Sequence, residues 1–155
     1  MPVHIINKQR AVKLSVENLR RLLEGVLEEE LGRDARVNVL LTNDRQITEL
    51  NRRFRGEEGP TDVLSWGLEE ESGEDDEPVL GDVAASGETA VREAPAHGTS
   101  PEEELTRYAV HGVLHLAGYD DETVPERRRM WRRQEQVMKG VSKRDAARGK
   151  EERGR

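Results

Sequence analysis

The chain contains no cysteine, which excludes disulfides and thiolate metal centres, so any metal ion must be held by His, Asp or Glu. Aromatic residues are scarce: one Phe, two Trp and two Tyr among 155 residues. Apolar residues make up 34% of the chain against 37% charged. The core must therefore come from a few periodic segments separated by polar stretches. No stretch approaches the roughly 18 apolar residues of a membrane span. The first twenty residues already carry Lys8, Arg10, Lys13 and Glu17, which argues against an apolar leader there. A cytoplasmic protein with no membrane partner is the expectation.

A formal net charge of −7 disfavours generic nucleic-acid binding, and no DNA partner is expected. The charge is unevenly spread, however. Residues 69–77 hold seven acids and no base. Basic residues gather instead at Arg52, Arg53 and Arg55, at Arg127, Arg128, Arg129, Arg132 and Arg133, and in a tail with six Lys or Arg between 141 and 155. A nucleic-acid partner would have to work through such local patches.

Ser15 reads as a helix cap before an apolar stripe of Val16, Leu19, Leu22, Leu23, Val26 and Leu27, stopped by Gly32. Residues 36–42 alternate as a strand. Asn43 and Asp44 cap a second helix bearing Ile47, Leu50 and Phe54 and ending at Gly56. Short strands follow at Thr61–Trp66 and Pro78–Ser86, with Gly81 marking a bulge or a close backbone approach. The acidic block between them reads as a solvated loop. Residues 87–99 show only a weak helical stretch ending near Pro95. Ser100-Pro101-Glu102-Glu103 is a strong start signal for a helix running to about Leu116 and ending at Gly118. A last helix covers about 124–139 and closes on Gly140, leaving 141–155 as a charged, disordered tail. The expectation is one domain over residues 1–140, an α+β or α/β sandwich.

The chemistry concentrates in His111-Gly112-Val113-Leu114-His115-Leu116-Ala117-Gly118-Tyr119-Asp120-Asp121. Residues four apart on a helix lie about 40° apart in azimuth and about 6 Å apart along the axis, so both imidazoles can reach one ion. Gly118 permits a sharp turn that can return a carboxylate three residues later. Three protein ligands with an open position is the catalytic arrangement of zinc. The only other histidines, His4 and His97, read as surface residues, with His97 in a loop able to approach a substrate. In His-Glu-x-x-His proteases the residue after the first histidine is the general base. Here it is Gly112, so peptide hydrolysis is disfavoured, whereas hydrolysis of a phosphodiester assisted by the ion is not. That chemistry wants an arginine for the phosphate.

Three blocks resemble the YbeY family of bacterial metal-dependent endoribonucleases: LNRRFRGEEGPTDVLSW (50–66), LGDV (80–83) and HGVLHLAGYD (111–120). The resemblance implies a small mixed sheet flanked by helices. It implies cleavage of single-stranded RNA, 3′-end maturation of small-subunit ribosomal RNA and ribosome quality control, with RNA and the small ribosomal subunit as partners. By position, His111 and His115 resemble the first two metal ligands, and Arg55 resembles the arginine needed for activity. The family's third histidine is replaced here by Asp121, which keeps zinc feasible and shifts preference toward manganese or magnesium. Asp120 and Asp62 are candidates for supporting roles beside the ligands. A weakly active or non-catalytic ribosome-associated RNA binder and a metalloprotease-like hydrolase are the alternatives.

Overall fold

The computed structural model describes residues 2–32, 35–67 and 79–153, with side chains described as far as residue 141. The acidic block at 69–77 lies outside the described residues. Two compact units emerge, residues 1–118 and residues 119–155.

The first unit is built on a four-stranded mixed sheet of order β1-β2-β4-β3. Its strands are β1 (Val3–Asn7), β2 (Arg36–Thr42), β3 (Val63–Gly67) and β4 (Val79–Ser86). β1, β2 and β4 run parallel, and β3 closes one edge antiparallel to β4. Four helices belong to this unit: α1 (Val16–Leu31), α2 (Asp44–Arg55), α3 (Gly87–His97) and α4 (Pro101–Leu116). The α+β reading with a small mixed sheet therefore holds. The register slips at Arg36/Val37 opposite Gly81, the irregularity expected from that glycine.

Alternation along the strands sorts the core. Val3, Val37, Val39, Val83 and Ala85 face one side and are buried, and α1 and α4 pack there. On the opposite side, Ile47 of α2 packs with Leu64 and Ala84, and Leu40, Leu50 and Trp66 lie against them. Phe54, expected on the same apolar stripe, is instead 52% exposed. Its ring stacks on Trp66 at 4.8 Å between centroids and 11° between planes, so one ring face is covered and the edge of the pair meets solvent.

The caps read at Ser15, Asn43 and Ser100 are present, and Ser86 adds one that the sequence did not announce. Ser15, Asn43, Ser86 and Ser100 each accept a backbone N–H from the first turn of their helix. Two readings need correction. Residues 87–97 form a full helix with Pro95 inside its last turn. It survives because Thr99 N–H donates to Ala94 O at 3.1 Å and Gly98 adopts φ 66, a closure that satisfies the final carbonyls. The last helix, α5 (Val124–Arg153), does not stop at Gly140. A single interior glycine costs only about 1 kcal/mol, and the following Lys, Arg, Ala and Glu favour helix. α5 forms the second unit with the preceding turn. Thr123 caps it, accepting from Glu126 N–H at 3.3 Å while Glu126 accepts from Thr123 N–H at 3.4 Å. No helix among the described residues is long and apolar enough to cross a membrane.

Candidate functional site

α4 carries the histidines because its sequence leaves one edge unburied. Leu105, Ala109, Val110, Val113 and Leu114 are all buried, whereas His111 and His115 are half-buried. Gly112 explains how closely α4 approaches the sheet. A Cβ there would sit 2.5 Å and 3.0 Å from the two Val83 methyls and 3.3 Å from a Val63 methyl. Position 112 thus points into the sheet. A glutamate base could not stand there, which removes the structural ground for the protease reading.

His111 and His115 are two nitrogen donors one helical turn apart, suited to a borderline transition ion. Among the described residues, no three His, Asp or Glu side chains are gathered closely enough to hold an ion. Asp121 lies in the turn of the second unit. Arg127 Nη1 donates to its backbone carbonyl at 3.1 Å, and its exposed carboxylate has no partner among the described residues. Asp120 is also exposed and takes no part in the α5 cap.

Arg55 is the last residue of α2. Its guanidinium is about half exposed and, among the described residues, reaches Glu57 at 4.0 Å, a weak solvated pair. Asn51, on the same helix, is buried and donates to Gly59 O at 3.0 Å, tying down the loop that follows Arg55. Asp62 accepts from Val63 N–H at 2.7 Å and from Thr61 Oγ1 at 3.3 Å. These are local bonds that shape the entry into β3.

Two polar centres were not anticipated. Asp44 accepts from Ser86 Oγ at 2.7 Å, Thr89 Oγ1 at 2.6 Å and Arg92 Nη1 at 2.7 Å. Glu88 in turn accepts from Asp44 N–H at 2.9 Å, so the N-termini of α2 and α3 clasp each other. Burial pushes the Asp44 carboxyl up, but the bonds from Thr89, Ser86 and Arg92 outweigh it and hold the group below its ordinary value. The second centre is Glu104, buried in α4. His97 lies 3.1 Å from it through Nδ1, and Thr99 Oγ1 donates at 3.0 Å. Burial again pushes upward, and the bonds from His97 and Thr99 lower the carboxyl overall. His97 is therefore the last residue of α3 engaged with Glu104, not a loop residue turned toward a substrate. In sequence, Asp44 looked like a helix cap and nothing more, and Glu104 drew no reading at all.

The endoribonuclease YbeY family model matches residues 4–142. The chain belongs to the YbeY endoribonuclease family. Endoribonuclease YbeY of Pelotomaculum thermopropionicum is 40% identical over 146 residues, covering 89% of this chain and 95% of that one. Endoribonuclease YbeY of Moorella thermoacetica is 42% identical over 150 residues, covering 88% and 95%. The solution structure of TM1509 from Thermotoga maritima aligns with TM-score 0.68 at 32% identity, over 94% of this chain and 93% of that one. YbeY membership thus extends over both compact units, including the arginine-bearing part of α5 up to residue 142.

Proposed function

We propose that this endoribonuclease cuts single-stranded RNA using one divalent ion held by His111, His115 and Asp121. Zinc is the first expectation, with manganese or magnesium favoured more than in an all-histidine site. The carrying observation is the edge of α4, which keeps two imidazoles half-buried side by side while Gly112 between them is pressed against Val83. Gly118, with φ 114, sits where the chain leaves α4, and the exposed carboxylate of Asp121, without a partner among the described residues, follows three residues later. Both support Asp121 as the third donor. When bound, the ion supplies Lewis acidity, drawing charge from the phosphoryl oxygens and making water more acidic. Arg55, whose one ion pair among the described residues is the loose contact with Glu57, holds a phosphate oxygen through its planar fork. Asp120 and Asp62 play supporting roles, Asp62 by shaping the backbone ahead of β3. The family resemblance supports the 3′ end of small-subunit ribosomal RNA as the substrate, ribosome quality control in the cytoplasm as the setting, and residues 1–140 as the working unit.

The test is the metal content of chelator-free protein by elemental mass spectrometry, beside His115→Ala, with cleavage of an unstructured RNA oligonucleotide measured in parallel. About one ion per chain, lost together with cleavage in the variant, is the expected outcome. Cleavage that persists in chelator, with no stoichiometric metal in either protein, would overturn the metal assignment.

A further inference from the structure

We infer that the arginine stripe of α5 binds the phosphodiester backbone of single-stranded RNA, an inference that rests on reading the chain as an RNA-cutting enzyme and adds a second contact zone to it. The molecule as a whole is acidic, at −7, yet residues 124–141 carry five arginines and Lys139 against only Glu126 and Glu135. Pro125, Arg129, Arg132, Arg133 and Gln136 recur at helical spacing and, with Tyr119, line a cavity of about 660 Å³. No acidic side chain among the described residues lines it.

The arrangement carries a cost that helix stability does not explain. Arg128 and Arg132, and likewise Arg129 and Arg133, are like-charged pairs four residues apart, which destabilise an isolated helix. Neither Arg129 nor Arg132 forms an ion pair among the described residues. Their positions are nonetheless constrained: Arg129 lies over the Tyr119 ring, 5.3 Å from its centroid, and Arg132 Nε donates to Arg128 O at 3.4 Å. Arg133 Nη1 donates to Gln136 Oε1 at 3.0 Å. A polyanion seated in the concavity would relieve the repulsion between the Arg129 and Arg132 guanidiniums. Phosphate suits them better than an isolated carboxylate, because each planar fork can grip two of its oxygens. The neighbouring tyrosine suits a nucleic acid better than an acidic peptide, since single-strand sites pair a cationic groove with aromatic faces for unstacked bases.

The experiment is equilibrium binding of a labelled, unstructured 16-nucleotide RNA, followed between 50 and 200 mM salt. It uses the full chain carrying His115→Ala so that no cleavage intrudes, compared with the same chain carrying R129Q and R132Q in addition. Single-stranded binding loses about 0.7 in log–log salt slope for each phosphate contact removed. The double substitution should therefore flatten the slope by about 1.4 and weaken binding, with R132K restoring most of the R132Q share. An unchanged slope and affinity would overturn the proposal while wild-type cleavage, measured separately, leaves the nuclease reading standing. Equal arginine-dependent loss of binding to poly-glutamate would also overturn it, by assigning the stripe to an acidic protein partner. Wild-type chain that neither binds nor cuts RNA would sink the functional reading itself. Both variants replace side chains at the surface of a helix, and unchanged thermal melting would show that the fold is intact.

Discussion

Replacing Gly112 with alanine sets helix propensity against packing, and the structure says which should win. In a helix interior alanine is worth about 1 kcal/mol over glycine, so propensity alone predicts a more stable protein. The added methyl would lie 2.5 Å from one Val83 methyl and 3.0 Å from the other. Comfortable carbon contact needs about 3.5–4.0 Å. Val83 is 1% exposed on a central strand and is stiff at χ1, so α4 or β4 must move by about 1 Å. Overpacking of this kind costs about 1–3 kcal/mol, and overlap with two methyls puts the site toward the upper end. The expected net effect is a destabilisation of about 1–2 kcal/mol. For a protein of this size that is a fall of roughly 3–8 °C in Tm. Thermal and urea melts would measure it. Val83→Ala supplies the decisive cycle: combined with Gly112→Ala it should cost at least about 1 kcal/mol less than the two changes summed, because the deleted methyls make room for the added one. A higher Tm for Gly112→Ala, or simple additivity in the cycle, would show that α4 does not rest on Val83 as described.

Arg55→Ala should leave metal content unchanged and lower RNA cleavage by about 10²-fold or more, the usual effect of losing one charge-stabilising donor; full cleavage would remove Arg55 from the mechanism. Asp121→His should raise zinc affinity in a competition titration against a chromophoric chelator, and weaker retention would mean that Asp121 is not the third donor. Asp44→Ala should cost about 2–3 kcal/mol at pH 7, because three donors lose a charged acceptor. The folded carboxyl is held below its ordinary value. Its contribution is therefore present above about pH 4, the unfolded value, and fades as pH falls further. Urea melts of both proteins should show the gap narrowing in acid, and a gap that does not vary with pH would contradict the clasp.

Local signals carried much of the fold into the sequence. Ser15, Asn43 and Ser100 were readable as caps because a cap bonds only to its own first turn, and the alternation in residues 36–42 was readable because period 2 needs no partner. β1 escaped, since VHIIN is short and acquires strand character only by pairing with Val37–Leu41. α3 was blurred by Pro95, whose tolerance depends on the closing bond from Thr99. Phe54 followed helical period faithfully yet ended up half exposed, because periodicity gives a direction on the helix and not the extent of the surface beneath it.

The site divides along the same line. The His111–His115 pair was legible because both residues ride one helix whose geometry fixes their relation. Gly112 was legible only as the absence of a protease base; that it is a contact surface for Val83 depends on residues 29 positions apart meeting across α4 and β4. Asp44 and Glu104 went unrecognised for the same reason, since their partners lie on other elements or beyond a loop. The relative placement of side chains within one turn of one helix could be read directly, and contacts assembled between elements could not. The assignment of Asp121 belongs to the second kind: its place as third donor rests on a turn at Gly118 rather than on a helical repeat. The Asp121→His titration therefore bears more on the mechanism than any substitution of the histidine pair, whose loss would look the same whatever the third ligand is.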